Sequence, residues 1–238
     1  MLKLVFISDT HNRHKKISLP DGDILFHVGD ATGVGDQWEV ESFGKWFRNQ
    51  PHKYKFYTPG NHERSSENQP EDFIKWLGFD SVENCFYIHN QTIEVEGLKI
   101  FMSGCTPTFG STWAWNVNRG TDIKKVWDLI EEGTNVVCTH GPCYEILDSV
   151  EETYWEDGEV KAFERHVGCQ DLLETIQKIN PMIHTCGHIH GAKGQKMVDK
   201  TLFIKASVCT EEYKPTNKPI VVEIENIEGE WKVVRTYD

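Results

Sequence analysis

The sequence predicts an α/β fold of four layers, two stacked mixed β-sheets flanked by helices, and three observations predict it. Short runs of β-branched and aromatic residues alternate with helical patterns. Hairpin signals gather in the second half of the chain. Several of the apolar runs end abruptly in a small polar cluster. Strands mixed with helices and hairpins fit helices packed outside two facing sheets.

Taken in order, residues 3–7, 23–28 and 54–57 are short apolar runs that read as strands. Between them, residues 38–48 put Phe43, Trp46 and Phe47 on one helical face, and Phe73, Ile74 and Leu77 share a face further on. Residues 92–95 and 98–102 flank Glu96-Gly97 and read as a hairpin. Residues 122–131 repeat Ile123, Val126, Trp127 and Ile130 at helical spacing behind a Thr121 cap. A strand follows over 135–139. Residues 170–179 predict another helix, through Leu172, Leu173, Ile176 and Ile179, and 182–185 another strand. Two more hairpins close the chain, 196–198 with 201–205 around Asp199-Lys200, and 219–225 with 231–236 around Glu228-Gly229. Residues 144–168, rich in charge and aromatics, match neither period and are expected to form a loop over one end of the fold. No repeat, low-complexity tract or linker interrupts residues 1–238, which read as one domain.

Composition narrows the function. At 38% hydrophobic and 26% charged, the chain has the balance of a soluble globular protein. Its apolar N-terminal run reaches a carboxylate at Asp9, too soon for a signal peptide, and no stretch is long enough to span a bilayer. A cytoplasmic protein with no membrane partner is the expectation. Seven cysteines, odd in number and without a C-x-x-C pair, fit reduced thiols better than a disulfide framework or a thiolate zinc site. The net charge of −12, without a basic stripe, weighs against a nucleic-acid polymer as substrate.

Five polar clusters carry the chemistry: Asp9-Thr10-His11, Gly29-Asp30, Gly60-Asn61-His62-Glu63, Thr139-His140-Gly141 and Gly187-His188-Ile189-His190. Each directly follows a predicted strand, and loops at the carboxyl ends of neighbouring strands converge in space. Taken singly, Asp-x-His, Gly-Asp and Thr-His-Gly serve equally well as caps and turns. Gly-Asn-His-Glu has no such generic use, and Gly-His-Ile-His is a strong signal too, although a His-x-His pair also arises by chance within a strand. Together they supply two carboxylates, an amide oxygen and up to five imidazoles, a mixed O and N set suited to borderline divalent ions. The set exceeds the four ligands of a structural zinc and implies two ions, an arrangement used to clamp a phosphoester.

The order D-x-H, GD, GNHE, H, GHxH resembles the calcineurin-like metallophosphoesterase superfamily over nearly the whole chain. Ile7-Ser8-Asp9-Thr10-His11, Thr139-His140-Gly141-Pro142, Val167-Gly168-Cys169 and Pro215-Thr216-Asn217 make it similar to the branch of metallophosphoesterase domain-containing proteins. The resemblance implies that Asp9, His11 and His190 hold one metal and Asn61, His140 and His188 the other, with Asp30 bridging both. His62 would be the catalytic histidine. The two ions would be manganese, with iron, zinc or nickel as alternatives, and would share a hydroxide that attacks phosphorus.

One departure stands out. Many relatives extend the second motif to GD-x-x-D-R-G, whereas this chain reads Gly29-Asp30-Ala31-Thr32-Gly33-Val34-Gly35. The aspartate that orients the catalytic histidine is missing there, leaving Asp36 or Glu63 as substitutes, and so is a phosphate-gripping arginine. The segment 109–120 brings Trp113, Trp115, Asn116, Asn118 and Arg119, and suggests stacking on a nucleobase plus a phosphate contact from Asn118 and Arg119; Arg64 is a further candidate for that contact. Asn61 and His62 are expected to touch substrate as well. The expected activity is a phosphodiesterase on small phosphoesters, cyclic nucleotides among them. A phosphomonoesterase, a nuclease and a catalytically silent metal-binding scaffold are the alternatives.

Overall fold

The apolar runs pair into two six-stranded sheets in the computed structural model, which describes residues 1–156, 158–191 and 193–237. The first sheet runs Glu230–Tyr237, Ile220–Ile227, Leu2–Ile7, Ile24–Val28, Tyr54–Thr58, Cys85–Tyr87. Its last four strands are parallel, and the C-terminal hairpin joins Leu2–Ile7 antiparallel. The second sheet runs Gly194–Val198, Thr201–Lys205, Ile183–Cys186, Val136–Thr139, Leu98–Ser103, Gln91–Val95. Its four central strands are parallel, and hairpins supply both antiparallel edges.

Side-chain alternation along the strands builds the layers. In Leu2–Ile7, Leu4 and Phe6 point to the interior between the sheets, where they meet Phe26, Ile100, Met102, Val136 and Ile204. Val5 and Ile7 point outward onto Phe43 and Phe47 of helix Gln37–Arg48 and onto Phe73 and Leu77 of helix Pro70–Leu77. The second sheet repeats this logic. Phe101, Val137 and Phe203 face Ile123 and Trp127 of helix Thr121–Trp127, and Leu172 and Ile176 of helix Gln170–Ile179. Both faces of each sheet are therefore covered, which is why the parallel strands read as near-continuous apolar runs.

The three expected hairpins form. Glu96-Gly97 and Glu228-Gly229 both adopt positive φ, as the tight turn between right-twisted strands requires. Three expectations need correcting. The helix expected over 122–131 ends at Trp127, and the chain tightens into i→i+3 bonds through Ile130 before the next strand. Thr121 belongs to its first turn, with Gly120 as the cap. The short strand Cys85–Tyr87 pairs over only three residues and gave no pattern in the sequence. Residues 144–168 are not an irregular loop: Ser149–Glu156 and Glu159–His166 pair along eight positions each. This hairpin is wet on both faces, with Tyr154, Trp155, Val160 and Phe163 exposed, so no apolar alternation marks it.

All seven cysteines are buried free thiols. Among the described residues, no helix is long and apolar enough to cross a membrane.

Candidate metal centre

Each of the five polar clusters lies at the carboxyl end of a parallel strand, and the two sheets bring these ends together. The loops turn too sharply for ordinary backbone: Asp9, His11, Asp30 and His188 all adopt positive φ. Non-glycine residues adopt this conformation uncommonly, Asn, Asp and His more readily than most, and here four of them cluster at one end of the sheets. Two glycines make the close approach possible. A Cβ on Gly29, itself at φ 98°, would collide with the His140 ring, and one on Gly60 would collide with the Asp30 carboxylate. Asp30, Asn61 and His140 reach one another because their neighbours have no side chain.

Glu63 fastens these loops. Fully buried, it accepts the backbone N–H groups of Gly60 at 2.6 Å, Asp30 at 2.9 Å and Thr32 at 2.9 Å, and the Thr32 hydroxyl at 2.8 Å. Burial, reinforced by the Asp30 carboxylate, pushes its carboxyl up despite those donors. Asp9 is tethered in turn by the Ser207 hydroxyl at 2.7 Å and the His188 N–H at 3.0 Å.

Carbonyls outside the cage fix the imidazoles. His140 Nδ1 lies 2.9 Å from Val28 O, His190 Nδ1 2.9 Å from Thr210 O, and His11 Nδ1 3.3 Å from Thr32 O. Each contact assigns the proton to Nδ1 and aims the Nε2 lone pair inward, as outer partners of metal-bound histidines do. The inward atoms then crowd one another. His11 Nε2 stands 3.1 Å from His190 Nε2. His140 Nε2 stands 3.0 Å from Asn61 Oδ1 and 3.2 Å from Asp30 Oδ2, and His188 Nδ1 is 2.8 Å from Asn61 Oδ1. Nitrogen and oxygen donors gathered this closely suit cations between them.

The electrostatics agree. Burial disfavours charge on His140, yet the Asp30 carboxylate, helped by Asp9, raises it to about 9. Asp30 and Asp9 are both held low, against their burial, by the surrounding imidazoles. His11, by contrast, is lowered to about 4 and His188 to about 3, chiefly by burial. Donor atoms of Asp9, His11 and His190 lie within 4.8 Å of one another, as do those of Asp30, His140 and His188, and those of His11, Asp30 and His62. The donor set fits divalent metal.

The structure thus brings Asp9, His11, Asp30, Asn61, His62, His140, His188 and His190 together, beneath a cleft of about 310 Å³. His62 leans edge-on to His11 and lies 4.5 Å from the Trp113 ring. Its Nδ1 meets Gly33 O at 2.5 Å, so a backbone carbonyl occupies the orienting role for which Asp36 and Glu63 were candidates. Asp36 instead caps helix Gln37–Arg48. Arg119 and Asn118 are placed elsewhere. The Arg119 guanidinium donates to Gly168 O at 2.7 Å and Val167 O at 2.6 Å, Asn118 Oδ1 accepts from Thr108, and neither lines the cleft. The arginine fastens the root of the 149–166 hairpin. The cleft is walled by Phe109 and Trp113, both in the segment expected to stack on substrate, and by residues that carried no signal in the sequence, Val150, Glu211 and Tyr213. Tyr213 packs edge-on against His11 and His190 from a loop that no motif marks.

Comparison with known proteins places this architecture. The calcineurin-like phosphoesterase family profile matches residues 2–192. Human metallophosphoesterase domain-containing protein 1 is 35% identical over 241 residues, covering 93% of this chain and 71% of the relative. A Thermus thermophilus structure superposes with a TM-score of 0.58 at 10% identity, covering 98% of both chains. A solved archaeal phosphodiesterase gives 0.50 at 17% identity, covering 98% of this chain and 99% of the other.

Proposed function

This chain belongs to the calcineurin-like phosphoesterase family, and from that premise we propose that it is a two-metal phosphodiesterase acting on small phosphodiesters, nucleotide esters among them. Metal-dependent phosphoester hydrolysis is the activity of the family. One observation supports the two-ion reading: seven inward donors form two groups that meet at a single carboxylate, Asp30, whose Oδ2 lies 3.2 Å from His140 Nε2 and 3.9 Å from His11 Nε2. Asp9, His11 and His190 would hold one ion, Asn61, His140 and His188 the other, with Asp30 shared. Manganese suits the mixed oxygen and nitrogen donors, with iron, zinc or nickel as alternatives.

When bound, the ions would supply a water-derived nucleophile near neutral pH and positive charge for the phosphoryl oxygens. The chain's own residues do the rest. Gly33 O pins His62 through Nδ1 and leaves Nε2 directed toward Asp30 Oδ2, 3.9 Å away. In its protonated form His62 would donate from Nε2 to the leaving oxygen, help typically worth ~10²–10⁴ in rate. Asn61 would orient a phosphoryl oxygen beside it. Phe109 and Trp113 would exclude water and give an aryl or nucleobase ester group a surface to stack on. Seven free thiols fit a reducing, cytoplasmic setting, and the core shared by both sheets supports reading residues 1–238 as one domain.

The test compares bis-p-nitrophenyl phosphate with p-nitrophenyl phosphate, using metal-stripped protein resupplied with Mn²⁺. Metal-dependent diester turnover that falls at least ~100-fold in His62→Ala is the expected result. Turnover of the monoester alone would make the protein a phosphomonoesterase. No turnover of either, with two ions bound, would leave a scaffold and overturn the reading.

A further inference from the structure

The cleft above the metal donors has an uneven charge. Phe109 and Trp113 stack with ring centroids 6.3 Å apart, and Phe109 lies 4.8 Å from the His188 ring. Among the described residues no lysine or arginine lines the cleft. Arg64 lies over the Trp113 ring at 4.8 Å, and Arg119 is engaged with backbone carbonyls. The rim instead presents a carboxylate, Glu211. Glu211 is exposed and reaches over Gly191, whose missing side chain leaves room for its carboxylate. The loop carrying it is anchored to the cage through the contact of His190 Nδ1 with Thr210 O.

A phosphomonoester carries close to two negative charges at neutral pH, because its second pKa lies near 6, whereas a diester carries one. Sites that grip the dianion add guanidinium or ammonium groups to their walls. Here the walls are aromatic and the one rim ion is negative, so a rim carboxylate repels the dianion about twice as strongly as the diester. We propose that Glu211 is a charge-selecting residue that favours monoanionic phosphodiesters over dianionic phosphomonoesters at this site. The inference rests on the phosphoesterase reading given above. It assigns the substrate class to diesters that present a planar group to Phe109 and Trp113 and bear no further phosphate.

The experiment measures kcat/KM of the manganese-loaded protein for p-nitrophenyl phosphate and bis-p-nitrophenyl phosphate in wild type, Glu211→Gln and Glu211→Lys. The monoester-to-diester ratio is expected to rise roughly 3–10-fold in Glu211→Gln and further in Glu211→Lys. Raising the salt concentration should shrink the difference, since the rim is exposed. A ratio that stays within twofold of wild type in both variants overturns the proposal. Should the wild type hydrolyse neither ester, the functional reading fails separately. The charge filter is then read from calorimetric affinities of the same three proteins for phenyl phosphate and diphenyl phosphate, with the same ratio deciding it.

Discussion

The two donor groups of the proposed cage meet at Asp30 but are hung on different parts of the molecule. His140 is fully buried, and its Nδ1 is tied to Val28 O at the end of a central strand. His190 keeps about 10% of its side chain exposed and is tied to Thr210 O. The loop that follows, with Glu211 and Tyr213 at the rim, is exposed. A tether on a central strand opens only when the sheet opens, whereas a tether on a surface loop yields to local motion. The difference teaches that equivalent ligand sets need not give equal sites: the half built on the sheet should hold its ion more firmly than the half built on the rim.

The largest effect is expected where the halves meet. Asp30→Asn removes the shared charge, and metal affinity should fall by more than the ~10–100-fold typical of losing an outer partner. Metal content by elemental analysis after dialysis would check this, and two retained ions would show that Asp30 is not shared.

Second in size is a contrast between buried imidazoles. His140 faces a carboxylate and is raised to about 9, whereas His27 and His184 rest against the hydroxyls of Thr10 and Thr139 and burial lowers both to about 3. With folded values below the unfolded 6.5, the unfolded chain takes up more protons as pH falls. Their stability contribution is complete above pH 6.5 and drains away toward pH 3. At pH 4.5 each should have removed up to about 2–3 kcal/mol. Urea midpoints at pH 7 and 4.5 should therefore converge in a His27→Gln/His184→Gln double variant, and an undiminished gap would count against this account.

The smallest effect separates the halves themselves. His190→Gln should leave close to one tightly held ion per chain, and His140→Gln should leave less metal, with residual affinity about tenfold weaker. Titration calorimetry with Mn²⁺ would read both, and equal losses would remove the asymmetry.

Much of this molecule was legible in its residues. The parallel strands announced themselves because they are buried on both faces, and the five clusters because each interrupts an apolar run with groups that need a partner. Glu63 was seen, but its role was not: apart from Gly60, its donors come from Asp30 and Thr32, more than 30 residues away, which no spacing reveals. Gly33 O was invisible as the partner of His62 for the same reason, since any residue carries a carbonyl. The hairpin Ser149–Glu156/Glu159–His166 escaped because it has no buried face to impose alternation. Arg119 looked like a phosphate ligand because a guanidinium serves a carboxylate, a phosphate or a carbonyl equally well, and only the fold decides which it meets. Glu211 and Tyr213 lie on a rim loop whose sequence obeys no period at all.

The outward tethers of the cage also set a timetable for its birth. Its ligands begin at Asp9 and end at His190, yet Asp9 is steadied by Ser207, His190 by Thr210, and strand Leu2–Ile7 takes Ile220–Ile227 as its neighbour. A ribosome must therefore release the chain past Ile227 before Asp9 finds its place. Until then the early strands wait with an open edge, and contacts so distant in sequence are slow to close. Any capture of metal by this cage should consequently come late in the life of each new chain.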